Sequence, residues 1–308
     1  MEGMPIGVFD SGLGGLTVAR EIARVLPEES LVYLGDTARC PYGPRDLDEV
    51  RRFVVEIGSL LATRPVKLIV IACNTATAAG LALAQRLFDV PVIGVIEPGA
   101  RAAVMATRNR RVGIIGTEGT IESGAYSRAV RSIDAGVTVF SAAAPRFVDI
   151  VEEGLRRGSG PVEDLLADTA SVFVRPSFHE IARDYLDPLK RSGIDTLVLG
   201  CTHFPLLSSA IRSVVGSRVQ LISSAAETAR EVAETLARRD QLAPAGSVAG
   251  YEFITTGDAE EFAGLGSRVF GQHMSTVSTL DLAQLETFAV PWQSVLETMN
   301  ATEEATCA

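Results

Sequence analysis

The sequence predicts an α/β fold in which parallel β-sheet is covered by helices on both faces. Short apolar runs alternate with longer segments of helical period, and polar residues cluster directly after the runs. Runs that are apolar at nearly every residue are typical of parallel strands buried on both faces. Because ligands of such folds bind outside the carboxyl ends of the strands, the polar loops after the runs are the expected site.

Nine apolar runs are predicted to form strands, and the segments between them are predicted to form helices. The clearest helical periods cover residues 16–26, after the first run, and 76–87, after the third. In chain order the predicted strands are 5–9, 31–35, 66–72, 90–95, 111–115, 137–140, 196–199, 219–222 and 251–255. The polar loops follow Phe9, Gly35, Ala72, Ile115 and Gly200.

Composition limits the class of partner and the compartment. The chain has 308 residues, with 28 basic against 38 acidic ones and a formal charge of −10, which argues against non-specific binding to DNA or anionic membranes. Neither a signal peptide nor a run of roughly 20 apolar residues is present, so we expect a cytoplasmic protein. Its four cysteines, at positions 40, 73, 201 and 307, are expected to be reduced and to form no zinc site with the three histidines.

Two of these cysteines occupy matching positions. Cys73 follows one predicted strand after a small residue, Ala72, and Cys201 follows another after Gly200. A thiol at the start of a helix meets the positive end of the helix dipole, so we expect the pKa of both thiols to lie below the ordinary value of about 8.5. A single free cysteine is as often a small buried core residue, but the matching contexts favour a functional pair.

Two thiols on opposite sides of a carbon atom can invert that carbon. One thiolate removes a proton while the other thiol donates one, and the roles exchange on each turnover. Asp10, after the first strand, and His203, beside Cys201, are the candidate assisting groups, although an aspartate in this position is often only a helix cap. The glycine-rich loop 10–15 lacks the P-loop lysine and predicts binding of a carboxylate by backbone amides.

Six motifs together resemble the glutamate racemase family, within the aspartate/glutamate racemase superfamily. They are VFDSGLGG at 8–15, GDT through PYG at 35–43, ACNTA at 72–76, GVIEP at 94–98, IGT at 115–117 and LGCTHFP at 199–205. The resemblance covers residues 5–271, and the combination of the first and last motifs is specific. Phe204 stands where the family usually has tyrosine.

The resemblance implies two similar parallel-sheet α/β domains that face each other, with the active site in the cleft between them. Cys73 would be the base for D-glutamate and Cys201 the base for L-glutamate, one from each domain. Asp10, His203 and Glu152 would assist them. The implied substrate-binding residues are Asp10, Ser11, Tyr42, Gly43, Asn74, Thr75, Thr117, Thr202 and His203.

The same resemblance implies a cofactor-independent isomerase, without metal, that supplies D-glutamate for peptidoglycan and hence for cell wall and cell shape. It also implies a homodimer, and some members of the family bind and inhibit DNA gyrase. The chain begins only nine residues before Asp10, so we expect no activation by a cell-wall precursor. Only two lysines occur, Lys67 and Lys190, and neither follows a strand at the ligand edge, which independently disfavours a pyridoxal phosphate enzyme.

The predicted domains are discontinuous in sequence. One comprises residues 1–97 and about 207–271 and carries Asp10 and Cys73, and the other comprises about 98–206 and carries Cys201 and His203. An apparent insertion covers 154–178, and the tail 272–308 is expected to be loosely ordered.

Three other functions stay open on the sequence. An aspartate racemase, or another two-thiol racemase of the superfamily, would carry similar motifs, because pocket length cannot be predicted from sequence. A protein whose chief role is to bind DNA gyrase would not need both cysteines. A thiol redox protein would bring Cys73 and Cys201 to disulfide distance.

Overall fold

The computed structural model describes residues 3–157 and 176–296, which form two parallel β-sheets flanked by helices. The strands are β1 Ile6–Asp10, β2 Leu31–Gly35, β3 Leu68–Ile71, β4 Val92–Gly94, β5 Arg111–Gly116, β6 Thr138–Ala143, β7 Thr196–Gly200, β8 Gln220–Ser223, β9 Tyr251–Thr255 and β10 Val277–Thr279. Each of the nine predicted strands overlaps an observed one, and β10 is an addition.

The helices alternate with the strands along the chain. They are α1 Leu16–Val25, α2 Leu47–Thr63, α3 Asn74–Leu87, α4 Ile96–Ala106, α5 Glu118–Glu122, α6 Ala125–Ile133, α7 Arg146–Arg157, α8 Pro176–Arg191, α9 Ser208–Val215, α10 Ser224–Arg238, α11 Ala259–Phe270 and α12 Leu282–Glu286. Short 3-10 helices occupy Thr37–Arg39, Phe204–Leu207 and Thr287–Trp292.

The strand order separates the chain into two sheets. Six strands form the first sheet in the order β10-β9-β2-β1-β3-β4, and four form the second in the order β6-β5-β7-β8. All pairings are parallel, so the carboxyl ends of the strands of each sheet lie along one edge. The predicted α/β class with two parallel sheets is confirmed.

The two sheets share an apolar core. Every residue of β1, β2, β3 and β7 is buried, as the continuous apolar runs predicted. One hydrophobic cluster contains Val8 of β1 together with Leu199 of β7 and Phe204. Helix α10 packs against both α1 and α4. Burial that continues from one sheet to the other holds their two ligand edges against each other.

The predicted domain division needs a correction at β8. The sequence prediction places residues from about 207 onward with the first sheet. Instead, β8 pairs with β7 in the second sheet, and the chain returns to the first sheet only at β9, which pairs with β2. An apolar run is the same in either sheet, and only the long-range pairing decides which one it joins.

The tail from 272 is more ordered than predicted over its described part. Strand β10 pairs with β9, and the 3-10 helix at Thr287–Trp292 packs against α2. There the indole of Trp292 donates a hydrogen bond to Ser59 Oγ over 3.0 Å. Residues 297–308 lie outside the described residues, as does most of the predicted insertion at 154–178, namely 158–175.

None of the helices in the described ranges combines the length and apolar character needed to cross a membrane.

Gly264 offers a test of how much a glycine inside a helix lowers the stability of the fold. It is an exposed residue inside α11, and a Cβ atom added there would have no neighbour within 4 Å. Gly264→Ala is therefore expected to raise the free energy of unfolding by roughly 0.5–1 kcal/mol, because alanine restricts the unfolded chain. Urea denaturation measures this. Gly271, at φ +81° after the same helix, is the matched control, and Gly271→Ala is expected to destabilise.

Candidate active site

Both paired cysteines lie at the carboxyl ends of central strands, one in each sheet. Cys73 follows β3 and Cys201 follows β7, and their exposed fractions are 7% and 6%. Cys201 is among the charges that raise the pKa of Cys73, which means that each thiol lies in the electrostatic field of the other. The structure thus brings together the two residues that the sequence paired.

The glycine-rich loop of the first sheet packs directly on the Cys201 loop of the second. A Cβ atom added at Gly14 would clash with Thr202 Oγ1 and would lie 2.6 Å from His203 Cε1. The hydroxyl of Thr17, at the start of α1, donates to the Thr202 carbonyl over 3.1 Å. Only glycine permits this approach, so the loop's glycine content serves the contact between the two sheets.

Asp10 is fully buried at the end of β1. Its Oδ2 atom accepts hydrogen bonds from the backbone N–H groups of Gly12, at 3.1 Å, and Gly15, at 2.9 Å. Its Oδ1 atom has no hydrogen-bond partner among the described residues. Burial raises the pKa of this carboxyl, with His203 and the loop N–H groups opposing. Asp10 therefore organises the loop with one oxygen and leaves the other available to a ligand.

The surroundings of Cys73 differ in one respect from the prediction. The residue does cap the N-terminus of α3, but burial, followed by the charge of Asp10, raises its pKa to about 12. The predicted lowering is therefore wrong for this thiol, because desolvation outweighs the helix N–H groups. The thiol donates to Ser11 Oγ over 4.0 Å.

Cys201 faces a histidine instead of a helix N-terminus. Residues 201–203 form a bend and turn that lead into the short 3-10 helix Phe204–Leu207, so no α-helix begins at this thiol. Its Sγ atom lies 3.7 Å from His203 Nδ1. The other ring nitrogen, Nε2, lies 3.6 Å from Glu152 Oε1. Helix α7 therefore brings Glu152 to the site.

The three groups Cys201, His203 and Glu152 are electrostatically coupled. Burial alone would lower the pKa of His203, but the hydrogen bond with Cys201 and the ion pair with Glu152 raise it to about 10. The same interaction with His203 lowers the pKa of the Glu152 carboxyl, against the opposing effect of its burial. Near neutral pH, His203 is therefore a cation between the side chains of Glu152 and Cys201.

This coupling predicts a pH dependence of stability. The pKa of His203 rises from an ordinary 6.5 to about 10 on folding, so its contribution is complete below about pH 6.5 and is lost as pH rises through about 10. His203→Gln should therefore destabilise most at the lower pH, and its difference from wild type should shrink toward pH 10. Urea denaturation at several pH values measures this, with exposed His273→Gln as control. A difference independent of pH would contradict the raised pKa.

The hydroxyls near the site cross from one sheet to the other. Thr75, in α3, shares hydrogen bonds with Thr117 at 2.9 Å and with Thr120 at 3.2 Å. The Gly43 carbonyl accepts from Gly119 N over 2.9 Å. Residues predicted to bind substrate thus also form hydrogen bonds between the two sheet regions.

Tyr42 and Asn74 differ in whether the side chain keeps a hydrogen-bond donor for a ligand. The Tyr42 hydroxyl donates to Asp36 Oδ2, so this side chain shapes the loop 40–43 and its hydroxyl is already engaged. Asn74 is buried, and its Nδ2 atom has no hydrogen-bond partner in the described part of the chain. Of the two, Asn74 has the side-chain donor left for a ligand.

Two neighbouring residues were missed on the sequence. The thiol of Cys40 donates to Glu152 Oε1 over 3.9 Å, and its place inside the 35–43 motif could have drawn attention to it. Tyr126 donates to Asn74 Oδ1 over 2.7 Å. It lies in an ordinary amphipathic helix, α6, and no sequence signal distinguishes it.

Comparison with known proteins gives a consistent result. Residues 6–232 match the family model described as Asp/Glu/Hydantoin racemase. The chain is 47% identical over 277 residues to the glutamate racemase of Corynebacterium diphtheriae, a match that covers 90% of this chain and 98% of that protein.

Solved structures agree with the sequence matches. The glutamate racemase isoform RacE1 of Bacillus anthracis superimposes with a TM-score of 0.82 at 43% identity, covering 92% of this chain and 99% of the other. The glutamate racemase of Francisella tularensis, solved in complex with D-glutamate, gives a TM-score of 0.80 at 29% identity with the same two coverages.

Proposed function

This chain belongs to the Asp/Glu/Hydantoin racemase family, and we propose that it acts as a glutamate racemase with Cys73 and Cys201 as its two acid–base groups. The observation that carries the proposal is the pair of buried thiols, one after a strand of each sheet, with the Cys201 loop packed on the glycine-rich loop of the first sheet. The isomerase activity is supported by relatives that align with nine-tenths of this chain and are glutamate racemases. Its product, D-glutamate, serves peptidoglycan synthesis in the family.

The thiols suit acid–base chemistry on a carbon atom. Because the charge of Cys201 raises the pKa of Cys73, the site disfavours two thiolates at once, and inversion requires one thiolate and one thiol. Burial makes the Cys73 thiolate a stronger base than an exposed one once it forms. In our proposal Cys201 removes the α-proton of L-glutamate while Cys73 donates a proton to the opposite face, and the roles reverse for D-glutamate.

The unpartnered polar atoms around the thiols match the groups of an amino acid. In the proposal, Asp10 Oδ1 accepts a hydrogen bond from the substrate ammonium, and Asn74 Nδ2 donates to a carboxylate. The backbone N–H groups of loop 10–15 and the threonines at 75, 117 and 202 add donors around the same space. Preorganised donors of this kind stabilise the negative charge that develops when the α-proton leaves.

His203 and Glu152 are assigned to the Cys201 side of the reaction. A cationic His203 lies beside Cys201, the residue that removes the α-proton of L-glutamate in the proposal. Glu152 holds His203 in the charged form. We assign both as assisting residues of this half-reaction.

A racemisation assay tests the proposal. Purified protein, dialysed against a chelator and given no cofactor, is expected to bring the optical rotation of L-glutamate and of D-glutamate to zero, while L-aspartate keeps its rotation. Preferential turnover of aspartate would overturn the proposed substrate, and no turnover of either amino acid would overturn the activity.

A native disulfide between Cys73 and Cys201 would favour a redox function instead. Both are free thiols in the described part of the chain. A homodimer, measurable by sedimentation equilibrium, and action in the cytoplasm, where thiols stay reduced, are parts of the same proposal. Binding to DNA gyrase stays a prediction of the family resemblance; an inactive Cys73→Ala variant that still inhibits supercoiling would establish it.

A further inference from the structure

Tyr126 lies beside the site but belongs to none of the motifs. It is 2% exposed, on α6 of the second sheet, while Asn74 belongs to α3 of the first. The phenol hydroxyl donates to Asn74 Oδ1 over 2.7 Å. The hydrogen bond therefore crosses from one sheet to the other at the point where Asn74 reaches the candidate site.

The position of the Tyr126 ring depends on two glycines. A Cβ atom at Gly200, directly before Cys201, would lie 2.9 Å from Tyr126 Cε2, and one at Gly99 would lie 3.4 Å from the hydroxyl oxygen. The absence of side chains at these two positions makes room for the ring and its hydroxyl. Packing thus fixes where the hydroxyl can be.

The direction of the hydrogen bond is fixed as well. Burial raises the pKa of Tyr126, so the phenol stays protonated and can act as the donor, while the Ser224 hydroxyl donates to the Leu199 carbonyl over 3.5 Å. The Tyr126 hydroxyl keeps its proton and donates it in the hydrogen bond to Asn74 Oδ1. A carboxamide whose oxygen is held in this way must turn its Nδ2 group elsewhere, and that group is buried without a partner in the described residues.

We propose that Tyr126 is a positioning residue, which orients the Asn74 amide so that its N–H groups meet a carboxylate of the substrate. This inference rests on the proposed function. With the amide turned around, Oδ1 would face the carboxylate, and two acceptors would repel each other. The hydroxyl of Tyr126 prevents this, because it offers a donor that only Oδ1 can accept.

The proposal predicts a change in KM for Tyr126→Phe. The ring, and hence the packing, is kept, and only the hydroxyl is lost. We expect KM to rise about 10-fold for both L- and D-glutamate, since both enantiomers carry the same carboxylates, while kcat changes by less than about 2-fold. Steady-state kinetics measures both, and Tyr251→Phe, which removes a hydroxyl on β9, is the control and should change neither.

A double variant separates positioning from a merely structural role. If Tyr126 acts through Asn74, then Tyr126→Phe should add nothing to the KM of Asn74→Ala. Additive effects, or an unchanged KM in Tyr126→Phe with a wild type that racemises glutamate, would overturn the inference. A wild type that racemises nothing would instead overturn the proposed function.

Discussion

Cys73→Ser is expected to keep solvent exchange at the α-carbon of L-glutamate and to lose it for D-glutamate, and Cys201→Ser is expected to show the reverse. Each variant keeps one thiol, which can still remove a proton on its own side and return a solvent-derived one. Neither variant can deliver a proton to the opposite face, so racemisation itself should fall by about 10²–10⁴-fold in both.

Solvent exchange at the α-carbon is the necessary readout, because the rate of racemisation does not distinguish the roles of the two thiols. The two enantiomers have equal free energy, so kcat/KM in the two directions must fall by the same factor in any variant. Incubation of each enantiomer in D₂O, followed by mass spectrometry and chiral separation, reports the two half-reactions separately. Equal loss of exchange for both enantiomers in both variants would argue against the two-base assignment.

Gly14→Ala is expected to lower kcat/KM by about 100-fold. The new methyl group would clash with Thr202 Oγ1 and lie 2.6 Å from His203 Cε1, so either the two loops separate or His203 turns away from Cys201. A misplacement of about 1 Å at a site of this kind can cost about 10²-fold in rate. We also expect a destabilisation of roughly 1–3 kcal/mol from overpacking.

The control for Gly14→Ala is the same change at Gly264, where a Cβ atom meets nothing within 4 Å. That variant should keep full activity. A thermal midpoint for Gly14→Ala establishes that the inactive protein is folded. Wild-type kcat/KM in Gly14→Ala would mean that the contact between the two loops has no part in catalysis.

The strands and the two thiols could be predicted because their signals are local. A run such as 68–71 is apolar at each residue, and that pattern is typical of a strand buried on both faces. Cys73 and Cys201 each follow such a run, and position alone then places them at the ligand edge. Neither prediction depends on distant parts of the chain.

The remaining features depend on contacts between distant residues. Whether β8 joins the first sheet or the second is decided by its pairing with β7. The pKa of Cys73 is set mainly by how completely the fold buries it, and that outweighs the helix N-terminus that the sequence did indicate. The hydrogen bond from Tyr126 to Asn74 joins residues 52 positions apart, and no sequence pattern in either segment indicates it.

The origin of the hydrogen at the α-carbon tests the two-thiol account most directly. Wild-type protein is incubated with L-glutamate in D₂O. The two enantiomers are separated at low conversion, and mass spectrometry measures the deuterium content of each. Two bases on opposite faces predict D-glutamate that carries one solvent deuterium, while the unreacted L-glutamate retains its own hydrogen. D-glutamate that retains the original hydrogen would require a single base that moves the same proton from one face to the other, and would contradict the roles given to Cys73 and Cys201.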